Sequence, residues 1–246
     1  MLSTGGTMAV GAAAAGSPEL EVHLLGPFEV RMGARPAALT SGRLRILLAA
    51  LAMSAGRVVS VDQLATPLWG EEPPADTRRG VQVCVTRLRA ALGAATVATE
   101  PSGYRLPVEP DQVDAVRFVR LLEAAAVAAD PVAERKLLCE AASLWRGTPF
   151  DGIQSAWLET QSPRLLERRL AALERRIDID LAGERYGELV AELDELTADT
   201  YGHVLPARAR EAAFATGRGR DDAWLYQWLY QPPRSTAVLA GGAGGT

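Results

Sequence analysis

Two neighbouring stretches decide how this chain reads: Val81-Gln-Val-Cys-Val-Thr-Arg-Leu-Arg-Ala-Ala-Leu-Gly93 and Pro101-Ser-Gly-Tyr-Arg-Leu106. On a helical wheel with Val81 at the origin, Val85, Leu88 and Leu92 fall within about 40° of it. That stripe is apolar enough to face a core. Arg79, Val83, Thr86, Arg87 and Ala90 lie opposite, from roughly 140° to 240°, with Gln82 and Arg89 at the flanks. The spacing predicts a helix from about Asp76 to Leu92, with Gly93 as its C-cap. Arg78, Arg79, Arg87 and Arg89 face a single acid, Asp76, and small side chains separate them. Such a face suits a DNA major groove. Guanidinium forks reach guanine N7 and O6 or phosphates, while small residues allow close approach and meet thymine methyls. A solvated helix in an arginine-biased chain shows the same pattern, so the surroundings must decide.

Upstream, Leu20–Leu25 and Phe28–Met32 alternate as short strands around the Gly26-Pro27 break, and a third strand is expected at Pro36–Leu39. Thr40 or Ser41 then caps a helix carrying Leu44, Leu47, Leu48 and Leu51 at helical spacing. Ser60 caps a shorter helix with Val61, Leu64 and Leu68 inward, ending at Trp69-Gly70. Glu71-Glu-Pro-Pro74 prevents that helix from continuing. Downstream, Thr96–Thr99 and Tyr104–Leu106 flank a turn at Pro101-Ser-Gly103 and read as a hairpin. Strands, three helices and a closing hairpin make an α+β winged helix-turn-helix domain, expected over residues 19–107.

Beyond Pro107 the pattern turns helical, with helices expected at about 114–129, 132–145, 162–181 and 184–196. Pro131 and Pro163 sit at or beside first-turn positions, where the missing N–H does no harm. Leu166, Leu170, Leu173, Ile177 and Leu181 line one face of the third of these helices. Antiparallel pairs with Ala-rich seams suggest an all-α tetratricopeptide-like domain over residues 108–232. The low-complexity ends, 1–18 and 233–246, are expected to be disordered.

With 246 residues, 48% of them apolar, the chain is long enough for two domains with real cores. Among 26 basic residues only Lys136 is lysine, a coding bias, so arginine content alone says nothing about nucleic acid. Distribution says more. Residues 19–107 hold ten arginines against eight acids, a net of +2, whereas 108–200 hold eleven bases against nineteen acids, a net of −8. The sign change marks two regions with different partners. No run of 18 apolar residues occurs, so no membrane span or membrane partner is expected. Cys84 and Cys139 lie far apart and only His23 and His203 accompany them, which argues against a metal site or a disulfide framework. No phosphate loop of the GxxxxGK type is present, and the acids alternate with arginines as solvated pairs do. A cytoplasmic, non-enzymatic protein without cofactors is expected.

The stretch Val81–Gly93 with Pro101–Leu106 closely resembles the recognition helix and wing of OmpR-type winged-helix regulators. Leu24-Leu-Gly-Pro-Phe28, Val113-Asp-Ala-Val-Arg-Phe118, Ala142-Ser-Leu-Trp-Arg-Gly147 and Leu166–Ile177 are similar to motifs of the Streptomyces antibiotic regulatory protein family. In that family a winged helix precedes a bacterial transcriptional activation domain of tetratricopeptide-like helices. The resemblance covers about residues 20–198, with its motifs in the expected order. It implies a pathway-specific transcriptional activator of secondary-metabolite (antibiotic) genes. Such a protein would bind promoter direct repeats as a head-to-tail homodimer and recruit RNA polymerase. Carried over by position, the resemblance implies base contact by Arg87 and base or phosphate contact by Arg78, Arg79 and Arg89. Gln82, Val83 and Thr86 share that surface, and Arg105 belongs to the wing. The acidic helical region would contact polymerase or a second protomer, so removing residues 114–246 should spare DNA binding. Too few residues precede Leu20 to build a receiver domain, so phosphorelay control within this chain is not expected.

Three departures bear on this reading. Cys84 stands where many relatives have His, Arg79 where they often have Asn, and the wing turn reads Glu100-Pro101 where a base is common. A weak wing contribution is therefore expected. The C-terminal region also departs, with Trp224, Tyr226, Trp228 and Tyr230 crowded together, expected to cap the helical domain. The alternative is a non-catalytic interaction module, or a regulator whose DNA binding is impaired.

Overall fold

Period-two alternation turns Leu20 and Val22 inward and Glu21 outward, and this gives the first sheet its buried face. The computed structural model describes residues 20–183 and residue 185. Strand β1 (Leu20–His23) pairs antiparallel with β2 (Glu29–Met32), from Leu20 opposite Met32 to His23 opposite Glu29. Strand β3 (Arg35–Pro36) closes this sheet in the order β1-β2-β3. It is shorter and earlier than expected because Leu39 leaves the sheet for the core, its carbonyl held by Arg45 Nε at 2.6 Å.

Helix α1 (Gly42–Ala52) buries seven residues, including Leu44, Leu47, Leu48 and Leu51. Strand β4 (Val58–Val59) follows, and α2 (Val61–Trp69) starts on the expected cap, with Ser60 and Gln63 forming a reciprocal capping box. Helix α3 (Thr77–Leu92) ends at Gly93. Residues Ala94–Thr96 form a 3-10 turn, so the strand expected from Thr96 starts only at Ala98; Thr96 is buried with its hydroxyl on the Leu92 carbonyl. Strands β5 (Ala98–Glu100) and β6 (Gly103–Arg105) make the hairpin, and β4 adds to it in the order β4-β6-β5. The winged helix-turn-helix is thus complete.

Helix α4 (Asp114–Ala126) ends three residues before the expected Ala129, and α5 (Pro131–Ser143) starts with Pro131 in its first turn beneath the Asp130 cap. Helix α6 (Ala156–Ala182) begins six residues before the expected Ser162 and carries Pro163 in its interior. Burial of Leu158 and Leu165 explains that earlier start: the packing of this turn outweighs the hydrogen bond that Pro163 cannot donate. Leu166, expected in the buried stripe, is only partly buried. The helix expected at 184–196, the aromatic cluster at 224–230 and both low-complexity ends lie outside the described residues.

The described residues up to Leu170 form one compact unit and those from Ala171 a second. In the second, Ile177 is fully buried and Ile179 and Asp180 nearly so. The boundary expected at residue 107 falls inside the first unit, where hydrogen bonds cross it repeatedly. The buried Asp114 carboxylate accepts the amides of Leu24 at 2.6 Å and Leu25 at 3.0 Å. Arg146 N donates to the Leu25 carbonyl, Phe150 N to that of Leu24, and Phe28 N to that of Asp151. Gly26 permits this closeness, since a Cβ there would sit 2.9 Å from the Arg146 backbone. Phe118 meets Trp145 edge-to-face at 5.3 Å, and the Arg169 guanidinium covers the same indole at 4.6 Å. No helix among the described residues is long and apolar enough to cross a membrane.

Candidate nucleic-acid interface

Helix α3 is fixed in rotation by what it buries. Val81, Val85, Leu88 and Leu92 are all buried, as the wheel predicts, and Cys84 joins them. Asp76 begins the helix, its carboxylate accepting the Arg79 amide at 2.9 Å. With that face inward, Arg78, Arg79, Gln82, Val83, Thr86 and Arg87 are all exposed. From Arg79 to Arg87 they follow helical spacing along about 12 Å of the axis. Two features of this face oppose stability. Arg78 and Arg79 sit in the first turn, where the helix dipole disfavours cations. Val83 is 42% exposed, one of few large hydrophobics so placed among the described residues. Both are suited to a partner that is anionic and carries apolar groups.

The other two expected contact residues are held by the protein itself. Arg89 is half-buried; its Nε and Nη2 donate to the Val97 carbonyl at 3.0 and 2.6 Å, and Nη2 also reaches Thr99 Oγ1 at 2.8 Å. It is a strut between α3 and β5. Arg105 gives Nε and Nη2 to a single oxygen of Glu100, at 3.0 and 2.8 Å. Strand pairing puts Arg105 opposite Ala98 and Glu100 opposite Gly103, so the ion pair is diagonal on one face of the wing.

Sequence reasoning missed Arg43. It lies on the first turn of α1, with its guanidinium 5.8 Å from the Trp69 ring centroid. With Ser41, Arg79, Val83 and Arg87 it lines a groove of about 430 Å³ beside α3. Nothing in the chain near Arg43 marks it, since its partners lie on other helices. Cys84 forms part of the groove wall; burial pushes its thiol pKa up, against the opposing pull of Arg43 and Arg87. It is therefore a poor thiolate and behaves as core.

Comparison with known proteins agrees with this architecture. A family model described as the transcriptional regulatory protein C-terminal region matches residues 35–106, and one described as the bacterial transcriptional activator domain matches 113–220. Regulatory protein DnrI of Streptomyces peucetius is 30% identical over 204 residues, covering 73% of this chain and 71% of DnrI. The chain belongs to the Streptomyces antibiotic regulatory protein family. Regulatory protein AfsR of Streptomyces coelicolor is 34% identical over 218 residues, which are 85% of this chain but only 22% of AfsR. The solved structure of Mycobacterium tuberculosis EmbR with a low-affinity phosphopeptide superposes at a TM-score of 0.72 and 28% identity. That match covers 86% of this family member and 59% of the EmbR chain. The chain thus has the architecture of that family, a winged helix followed by a helical activator domain, and spans about a fifth of the length of AfsR.

Proposed function

We propose that this chain activates transcription of secondary-metabolite genes by reading promoter DNA with α3 in the major groove. The observation that carries this reading is the single exposed face formed by Arg78, Arg79, Gln82, Val83, Thr86 and Arg87, held outward by a fully buried opposite stripe. Arg87 and Arg79 supply bidentate donors for guanine, Gln82 suits adenine, and Val83 and Thr86 suit thymine methyls. Arg43 supplies a charge for a flanking phosphate. Protomers would sit head to tail on direct repeats, as a homodimer formed on DNA. The acidic helical region would turn toward RNA polymerase, with no membrane involved and no cofactor required.

The test is a mobility-shift titration of the full chain on promoters from its own gene neighbourhood, at two salt concentrations with competitor DNA. Discrete competitor-resistant complexes that weaken with salt are expected. Arg87→Ala should lose about 1–3 kcal/mol of specific affinity, roughly 5- to 150-fold, if its contact is bidentate. Unchanged promoter affinity in that variant would show that α3 is not the reading element.

A further inference from the structure

The wing hairpin from Ala98 to Leu106 contains one base, Arg105, and one acid, Glu100. They neutralise each other. Both nitrogens on one edge of the guanidinium converge on Glu100 Oε1, and the two side chains are 34% and 28% exposed. They are partly screened yet open to exchange with an outside anion. Arg89 provides an internal contrast. It is tied to the same hairpin, but by the Val97 carbonyl and the Thr99 hydroxyl, which are neutral acceptors that leave its charge uncancelled. The wing therefore presents a fold-stabilised arginine whose field is cancelled at the distance of a phosphate.

We propose, building on the DNA-binding reading above, that Glu100 sets the affinity of this protein for DNA by holding Arg105 away from the phosphate backbone. A phosphate that meets the remaining N–H groups of Arg105 meets a pair that is neutral as a whole, and gains the full charge only by displacing the Glu100 carboxylate, so the wing adds little sequence-independent attraction. Discrimination then falls to α3, because phosphate contacts raise binding to all sequences alike whereas base contacts do not. Glu100 is in this sense a specificity-determining residue that touches no base.

The test uses the full chain, a short mixed-sequence duplex and a salt titration of affinity. Glu100→Gln keeps the side-chain shape and removes the charge. It should bind the duplex more tightly and steepen the log–log salt slope by about 0.9, the signature of one added phosphate contact. Arg105→Gln alone bares the Glu100 charge and should bind no more tightly than wild type, and Glu100→Gln with Arg105→Gln should return the steepened slope to the wild-type value. An unchanged slope in Glu100→Gln overturns the proposal. So does a slope shallower than wild type in the double variant, which would mean Arg105 already holds a phosphate. An equal gain in the double variant also overturns it, because the effect would then be lost repulsion and not a released arginine. Wild-type protein without any salt-dependent binding would overturn the DNA-binding reading itself, a result separable from all three.

Discussion

Asp114 is a carboxylate almost without access to water, and three backbone amides take its place. Leu24 and Leu25 donate to it from the end of β1 and Ala115 from its own helix, with Arg146 at 3.8 Å and His23 at 3.9 Å. Burial pushes its pKa above the ordinary carboxylate value, against the amides of Leu25 and Leu24, His23 and the amide of Ala115. A value raised in the folded state means that the native protein binds more protons than the unfolded chain across that interval. This residue's contribution must therefore decline as pH rises from the ordinary carboxylate value through the raised one. Asp114→Asn should destabilise by about 1–3 kcal/mol, since an amide group sets N–H against N–H at one of the three contacts. The gap in melting temperature between wild type and this variant should narrow as pH climbs through that window. A gap that widens with pH would show that the ionised form is the one the fold prefers.

Single elements differ in how fully they can be read from the chain. Helix α3 was legible to within one residue because its buried stripe and its Gly93 stop agree, and the structure adds Asp76 as its N-cap. Strand β4 was not, because two residues, Val58 and Val59, carry no period. Nor could sequence foresee that Arg89 would turn to the Val97 carbonyl; that contact depends on where β5 lies relative to α3. Helix α6 shows the converse failure, where a proline suggested a start and the burial of Leu158 overrode it. The wing depends on β4 through one contact in particular. A Cβ on Gly103 would fall 2.0 Å from the Val59 carbonyl oxygen, far inside contact distance. Gly103→Ala should therefore open the pairing of β4 with β6 and cost about 2 kcal/mol or more in thermal unfolding. A melting curve indistinguishable from wild type would mean that β4 is dispensable to the hairpin.

For the molecule as a whole, the first compact unit revises the expectation that residues 114–246 can be deleted without harm to DNA binding. That cut removes Phe118, Trp145 and Phe150, buried in the core that includes Leu20, Leu24 and Leu25, together with Asp114, which holds the Leu24 and Leu25 amides. A chain ending at 113 should show no cooperative melting by circular dichroism, whereas one ending at 170 should melt cooperatively and keep DNA binding. Cooperative unfolding of the shorter chain would establish that the winged helix stands alone. The sequence signalled two regions through their opposite net charge, but charge reports surfaces and the sharing lies in the interior, among backbone groups that composition cannot show.

The hydrogen bond from Ser155 Oγ to the Pro67 carbonyl, at 3.1 Å, joins residues 88 positions apart across a buried contact. It has a consequence in time as well as space. During synthesis α3 emerges from the ribosome well before the Phe150–Ser155 segment that seals the first unit. Closing so long a loop delays completion of the core. A nascent chain that ends just after α3 thus exposes apolar side chains, Leu24 and Leu25 among them, that the finished protein buries. On the proposed DNA-binding reading, competence is gained late, together with the helical segments of the first unit, so a prematurely terminated chain would be a target for proteases before it could occupy a promoter.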